Sequence, residues 1–392
     1  MNDFVYYTPT KVIFGRDKED LVGDELKSRG AKKVLIHYGG GSVVRSGLLD
    51  RVKASLDASG ISYVELGGVV PNPRLSLVYE GIELARREKV DHILAVGGGS
   101  VLDSSKAIGY GVPYDGDVWD FYDRKAQAKE ILPVCDILTL AATGSEMSNS
   151  SVITKDEGGI KRGYSNDLGR PVFSILDPQL TTTLPPYQTK CGCTDIIMHT
   201  LERYFTSKGN MDLTDEIAKG LIKTVMKHAR ILLDDPENYD SRAEVMWAGS
   251  LSHNGLTGCG NGGFDFATHR LEHELSGMYD VAHGAGLAAL WGSWARYVMD
   301  DCLWRFRKFA TDVMDVPDQG TDHEIALKGI EKMEDFFREL GMPVSMSELG
   351  LHPSDEDIRT LAANCSRAVG GKIGAAKVLY EEDFVRIYHM AK

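Results

Sequence analysis

His92-Ile93-Leu94-Ala95-Val96-Gly97-Gly98-Gly99-Ser100-Val101-Leu102-Asp103-Ser104-Ser105-Lys106 is the stretch on which the fold turns. Ile93 to Val96 is an unbroken apolar run, as expected of a strand covered on both faces. Three glycines and a serine stop it, and a helical pattern starts near Val101. A buried strand turning through glycine into a helix is half of a βα unit.

The same alternation continues outward. Val34 to Tyr38 forms a second buried strand that ends on Gly39-Gly40-Gly41-Ser42, with a helix from about Ser46 to Ala58. Tyr63 to Leu66 is a weaker strand, followed by Pro71-Asn72-Pro73 and a helix from about Ser76 to Glu88. Ile137 to Leu140 and Val172 to Leu176 complete the strand set. Strands alternating with helices predict a Rossmann-like α/β domain with a parallel sheet. Beyond Leu184-Pro185-Pro186 helical periodicity takes over, and proline marks a helix start. The predicted organisation is an α/β domain over residues 1–180 and an α-helical bundle over residues 181–392.

Composition narrows the function. The 392 residues are enough for two cores, and 43% hydrophobic with 26% charged residues is a globular mixture. A net charge of −13 repels nucleic acid. No apolar run is long enough to span a membrane, and the N-terminus has no secretory pattern. The six cysteines match no disulfide framework, so a cytoplasmic location is expected. Small-molecule chemistry is the expected business of this chain.

The glycine turn at residues 97–100 offers backbone N–H groups and a helix N-terminus to a phosphate. Asp103 and Lys106 lie one helical turn apart near the same mouth. The turn at Gly39-Gly40-Gly41-Ser42 bears on the cofactor. A dinucleotide fold selective for NAD(H) places a carboxylate there for the ribose 2′-hydroxyl, and this turn has none. That favours NADP(H) over NAD(H), with Arg45 the nearest cation. Thr139 to Glu146 leaves another strand with hydroxyl side chains suited to lining a cofactor channel.

The helical half carries the most informative residues. Asp195 and His199 are four apart, which puts them on one helix face. His269 and His273 repeat that spacing, and His283 follows. A carboxylate with three imidazoles makes a mixed oxygen and nitrogen site for Fe(II) or Zn(II). A solvated helix face is the competing explanation. It is weakened by Phe264, Phe266, Leu271 and Leu275 around the histidine pair, and by Gly284, Ala285, Gly286, Ala288 and Ala289 after His283. The remaining seven histidines, His253 among them, lack partners at ligand spacing and are expected to be structural or surface residues. Cys191 and Cys193 lack a second thiol pair and make a poor thiolate site.

Taken together, these motifs resemble the iron-containing (group III) alcohol dehydrogenase family, in its NADPH-dependent butanol dehydrogenase and aldehyde reductase branch. The resemblance rests on Gly97-Gly98-Gly99-Ser100-Val101-x-Asp103-x-x-Lys106, Thr143-Gly144-Ser145-Glu146, Asp177-Pro178, Asp195-x-x-x-His199, and His269-x-x-x-His273 followed by His283-Gly284. It implies a metal held by Asp195, His199, His269 and His283, with His273 beside nicotinamide and substrate. It also implies that Gly97, Gly98, Gly99 and Ser100 hold the pyrophosphate and that Gly39, Gly40 and Ser42 surround the 2′-phosphate. Asn72 would contact the adenosine side. Asp103, Thr139 and Thr143 would line the nicotinamide half, and Lys161 would approach the cofactor. A small alcohol or aldehyde substrate is implied as well; a homodimer is expected only because dimers are the commonest closed assembly. Two departures stand out. Ala141-Ala142-Thr143-Gly144 replaces a more usual threonine-rich wording, and Cys191-Gly192-Cys193 precedes the ligand aspartate where small residues are common.

Two other classes compete. A cyclase or lyase like dehydroquinate synthase needs a basic pocket, and only Arg203 and Arg270 flank the metal segments; a polyol dehydrogenase of the same fold is its neighbour. A non-catalytic scaffold has no use for four ligand-type side chains plus His273.

Overall fold

The computed structural model describes residues 1–392, which form two compact units. One comprises Thr8–Leu184, the other Met1–Tyr7 with Pro185–Lys392. The first residues thus join the helical unit, where the expectation had them in the α/β domain. The Asn2 amide and side chain both donate to the Gly260 carbonyl, at 3.1 and 3.0 Å, and Asn254 donates to the Tyr6 hydroxyl.

The α/β unit contains β1 (Lys11–Phe14), α1 (Val22–Ser28), β2 (Lys33–Gly39), α2 (Ser42–Arg45), α3 (Leu48–Ser59), β3 (Ser62–Val69), α4 (Leu75–Glu88), β4 (His92–Gly97), α5 (Gly99–Gly111), α6 (Trp119–Tyr122), β5 (Val134–Leu138), β6 (Ser150–Lys155), β7 (Ile160–Ser165) and β8 (Phe173–Leu176). Six strands form one sheet in the order β1-β8-β5-β4-β2-β3, and every pairing in it is parallel. Alternate residues of a strand feed opposite faces. Leu35 and Ile93 join one core with α4 and α5, while Val34, Ile36, Leu94 and Val96 join the other with α1 and α3. Both faces are covered, which is why β4 is buried at every position and reads as a continuous apolar run.

The order gives the unit its functional edge. The chain leaves β2 for β3 on one side, and leaves β4 for β5 on the other. The crevice between β2 and β4, at their carboxyl ends, is therefore the topological switch point, where open α/β sheets bind ligands. The predicted helix from about Ser46 to Ala58 is the continuous α3, and a short extra helix precedes it. Gly47, at φ +72°, separates the single turn of α2 from α3. Antiparallel β6 and β7 form a hairpin that the apolar pattern did not announce.

The helical unit contains α7 (Pro186–Tyr204), α8 (Asp212–Asp234), α9 (Tyr239–His253), α10 (Ala267–Tyr279), α11 (His283–Val298), α12 (Leu303–Asp312), α13 (Asp322–Glu339), α14 (Asp355–Val369) and α15 (Glu381–Met390). Pro186 opens α7, where a missing N–H costs nothing. Trp291, Trp294, Phe205, Phe306 and Phe309 are fully buried. Phe205 stacks on Phe306 with centroids 4.2 Å apart. Each such side chain stabilises the unit by roughly 1.5–3 kcal/mol. No helix is long and apolar enough to cross a membrane.

Candidate metal centre

Three helices of the helical unit bring the predicted side chains together. Asp195, His199 and Glu202 recur along one face of α7, which is buried from Gly192 to Tyr204. His269, Glu272 and His273 lie along α10. His283 is the first residue of α11. Gly284 explains why α11 can approach α7 so closely: a side chain there would start 2.2 Å from the Cys191 carbonyl oxygen. Only glycine permits that contact, and it holds His283 next to Asp195.

Asp195 is the hub. Its Oδ1 lies 3.4 Å from His199 Nδ1, 3.5 Å from His269 Nε2 and 3.7 Å from His283 Nε2. Asp195 Oδ1, His199 Nδ1 and His269 Nε2 are buried and have no hydrogen-bond partner. An unsatisfied buried polar atom costs about 1–3 kcal/mol, so three facing one point call for a ligand. Ligand atoms about 2.1 Å from a tetrahedral cation stand about 3.4 Å from one another. The residues present therefore fit a divalent cation.

Two carboxylates back the imidazoles. Glu202 accepts from His269 Nδ1 and also from its backbone amide at 3.1 Å. Glu272 accepts from His283 Nδ1. Both glutamates are wholly buried. A carboxylate on Nδ1–H fixes the tautomer, so that Nε2 turns its lone pair inward. The field at the centre favours positive charge. Burial on its own would raise the Asp195 pKa, yet His199, His283 and His269 outweigh it and hold the carboxyl far below its usual range. Burial works against a charged His269, but Glu202 and Asp195 overcome it and push that pKa up to about 9. Burial drives His199 well below its usual value, with Asp195 opposing.

His273 and His283 have ring centroids 5.7 Å apart. His253, expected to be bland, packs its ring 4.1 Å from that of His199 and meets Arg203 Nη2 at 3.0 Å. Arg203 also donates to the His199 carbonyl at 2.7 Å and lies over Phe264 and Phe266. That arginine is committed to the fold, which removes one of two candidates for gripping an anionic substrate.

In the α/β unit, adjacent β2, β4 and β5 bring Gly39, Gly40 and Ser42, then Gly97, Gly98, Gly99 and Ser100, then Thr139 and Thr143 to one edge of the sheet. No side chain caps the start of α5, so its first amides remain open to a phosphate. A side chain on Gly99 would start 2.2 Å from Thr143 Oγ1, so this glycine also makes room for a neighbouring loop. Asn72 follows β3 in a left-handed conformation, φ +54°, and is buried. Lys161 lies on β7, near enough to act electrostatically on Asp103.

Asp103 and Lys106 turn inward. Lys106 Nζ donates to Ser145 O, Ser145 Oγ, Ser148 O and Ser150 O, at 2.7, 2.8, 3.0 and 2.9 Å. Lys106 is wholly buried and holds the loop after β5 instead of facing the glycine mouth. Burial lowers its pKa to about 8, with Asp103, Asp136 and Glu146 opposing. Asp103 accepts from Ser145 Oγ at 2.7 Å and from the Val152 amide at 3.0 Å, tying α5 to β6.

Glu202 and Glu272 escaped the sequence reading. Each stands three residues after a predicted ligand, His199 or His269, on the same helix face.

Comparison with known proteins agrees along the whole chain. Residues 9–178 match the family described as iron-containing alcohol dehydrogenase, and residues 189–391 match the C-terminal part of the Fe-containing alcohol dehydrogenase family. The chain is 41% identical over 389 residues to the NADH-dependent butanol dehydrogenase A of Clostridium acetobutylicum, covering 99% of each. It is 37% identical over 361 residues to the NADPH-dependent aldehyde reductase YqhD of Escherichia coli, covering 90% of this chain and 91% of the relative. The crystal structure of NADH-dependent butanol dehydrogenase A from Thermotoga maritima superposes with a TM-score of 0.96 at 40% identity, covering 100% of this chain and 99% of the other.

Proposed function

This chain belongs to the iron-containing alcohol dehydrogenase family, and from that premise we propose that it reduces short aliphatic aldehydes to primary alcohols with NADP(H) and one Fe(II) or Zn(II) held by Asp195, His199, His269 and His283. The coarser statement, an alcohol–aldehyde oxidoreductase with a nicotinamide cofactor, follows from family membership. The metal dependence is carried by a single observation: three buried, unpartnered ligand atoms and a third imidazole, that of His283, face one point.

The bound cation supplies Lewis-acid polarisation of a carbonyl oxygen, and the dihydronicotinamide supplies hydride. The chain's own residues do the rest. Glu202 and Glu272 hold the His269 and His283 rings in the orientation and tautomer that a cation needs. His273 holds or passes a proton at the substrate oxygen, as its place beside the ligand histidines allows. The turns at residues 39–42 and 97–100, with Asn72, Thr139, Thr143, Asp103 and Lys161 around them, hold the dinucleotide.

The relatives' names divide on the cofactor, NADH for the clostridial butanol dehydrogenase and NADPH for the aldehyde reductase of Escherichia coli. We assign NADP(H) to this chain because the turn after β2 carries no carboxylate. In addition, Arg45 Nη1 folds back to 3.2 Å from where a side chain on Gly41 would begin. A 2′-phosphate there meets a guanidinium and no like charge.

The test is steady-state reduction of butanal by protein loaded separately with iron and with zinc, using NADPH and NADH in turn. The expected result is metal-dependent turnover with the larger kcat/KM for NADPH. Turnover by metal-free protein would overturn the metal reading, and a larger kcat/KM for NADH would overturn the cofactor assignment.

A further inference from the structure

A cavity in the helical unit, of about 90 Å³, opens beside the first turns of α7. Thr189, Lys190 and Cys193 of α7, Leu232 and Leu233 of α8, and Arg242 of α9 line it. Arg242 is only 4% exposed. Its guanidinium donates to the Pro236 carbonyl at 2.9 Å and to Thr189 Oγ1 at 2.8 Å, both neutral acceptors. No carboxylate pairs with it, and none lines the cavity. Burial disfavours its charge and lowers its pKa. Lys190 adds a second cation, its Nζ 3.5 Å from where a side chain on Gly341 would begin.

A buried cation without a counter-charge is expensive, and it marks a place where an anion is wanted. The N-terminal end of the 19-residue α7 adds the favourable end of a helix dipole. The rest of the wall is apolar, formed by Leu232, Leu233, Ala229 and Leu340. A ligand that is polar all round, such as inorganic phosphate, would leave oxygens unsatisfied against it. An anion with one charged end and a short hydrocarbon tail satisfies both halves of the wall.

We propose that this cavity binds a short-chain aliphatic carboxylate, its carboxylate on Arg242 and Lys190 and its alkyl tail against α8. The site is separate from the metal centre. At about 100° per residue, Thr189, Lys190 and Cys193 face roughly the opposite side of α7 from Asp195, His199 and Glu202. A ligand here grips the helix that carries two of the predicted metal ligands, from behind. The inference stands independently of the cofactor and substrate assigned above.

Isothermal titration of the metal-loaded full chain with sodium butyrate tests it, with inorganic phosphate titrated in parallel. The expected result is one butyrate per chain with a Kd on the order of 1 mM or tighter, and phosphate at least about tenfold weaker. Arg242→Gln should weaken butyrate by about tenfold or more. Ala229→Leu, which fills the cavity from the apolar side without touching a charge, should do the same. Should Arg242→Gln fail to fold, Ala229→Leu and Lys190→Gln decide the matter. Absence of saturable binding, phosphate binding as tightly as butyrate, or butyrate binding unchanged in Ala229→Leu would each overturn the proposal, the last by locating the carboxylate elsewhere.

Discussion

Two of the protein's buried polar clusters, one in each unit, are finished differently. In the α/β unit the Lys106 ammonium has four oxygen acceptors, and Asp103 takes a hydroxyl and an amide. Both of those charges are answered by the chain itself. In the helical unit the outward nitrogens of His269 and His283 are answered by Glu202 and Glu272, while the inward atoms of Asp195, His199 and His269 meet nothing. A closed cluster holds a loop in place; an open one is where the proposed function puts the ion. Burial and charge alone do not separate the two, because both are deeply buried and ionic. What separates them is the count of unanswered atoms facing a common point.

Substitutions should sort the same way. Asp195→Ala removes the hub of the open cluster. It should abolish metal retention and lower aldehyde turnover by about a thousandfold or more, as metal analysis and steady-state kinetics will show. Lys106→Met breaks the closed cluster, leaves three carbonyls unanswered and removes the cation that offsets the Asp103 charge. It should destabilise the α/β unit by about 3–5 kcal/mol in denaturant unfolding. Metal content per folded chain should stay unchanged. If Lys106→Met loses metal while Asp195→Ala only loses stability, the contrast is inverted and the account fails.

His37 sharpens the contrast on the closed side. It bonds the Leu66 carbonyl through Nδ1 at 2.7 Å and Ser104 Oγ through Nε2 at 2.8 Å, with no exposure. Burial lowers its pKa from 6.5 to about 4, with the Leu66 contact opposing. The unfolded chain therefore takes up a proton at a higher pH than the folded one. Stability attributable to His37 is complete above pH 6.5 and declines as pH falls toward about 4, by about 3 kcal/mol in all. Chemical denaturation across that window should show the decline, and His37→Gln should flatten it.

A smaller effect is expected from Glu202→Gln. The amide cannot hold the His269 tautomer as the carboxylate does, so metal affinity should fall by about 10–100-fold with the fold intact. Competition against a chelator measures it. The smallest effect concerns the cofactor turn. Gly40 has open space where a side chain would begin. Gly40→Asp should fit, repel a 2′-phosphate and shift the ratio of kcat/KM values toward NADH by about tenfold.

The same contrast explains what was legible in the sequence. Asp195, His199, His269 and His283 could be found because imidazole and carboxylate have specific chemistry and the helix repeat has a fixed spacing. Their supporting glutamates could not, since glutamate is ordinary on any helix. Only its position three residues after a ligand distinguishes Glu202 and Glu272. Lys106 was placed at the glycine mouth because spacing gives a helix face and not what covers it. In the fold, β4 was plain because both of its faces are buried. β1, four residues long, and the polar β6–β7 hairpin leave too little apolar pattern to detect, although Gly158-Gly159 between the latter strands, both at positive φ, was a usable turn signal. Residues 1–7 joined the helical unit through contacts to Gly260 and Asn254, a pairing across some 250 positions that no local pattern encodes.

Crystals of the iron- or zinc-loaded protein, measured across the metal's absorption edge, test the central claim most directly. The account predicts one anomalous peak per chain, about 2.0–2.2 Å from an oxygen of Asp195 and from ring nitrogens of His199, His269 and His283. A peak bound by other side chains, or none at these four in protein that reduces aldehydes, would contradict it.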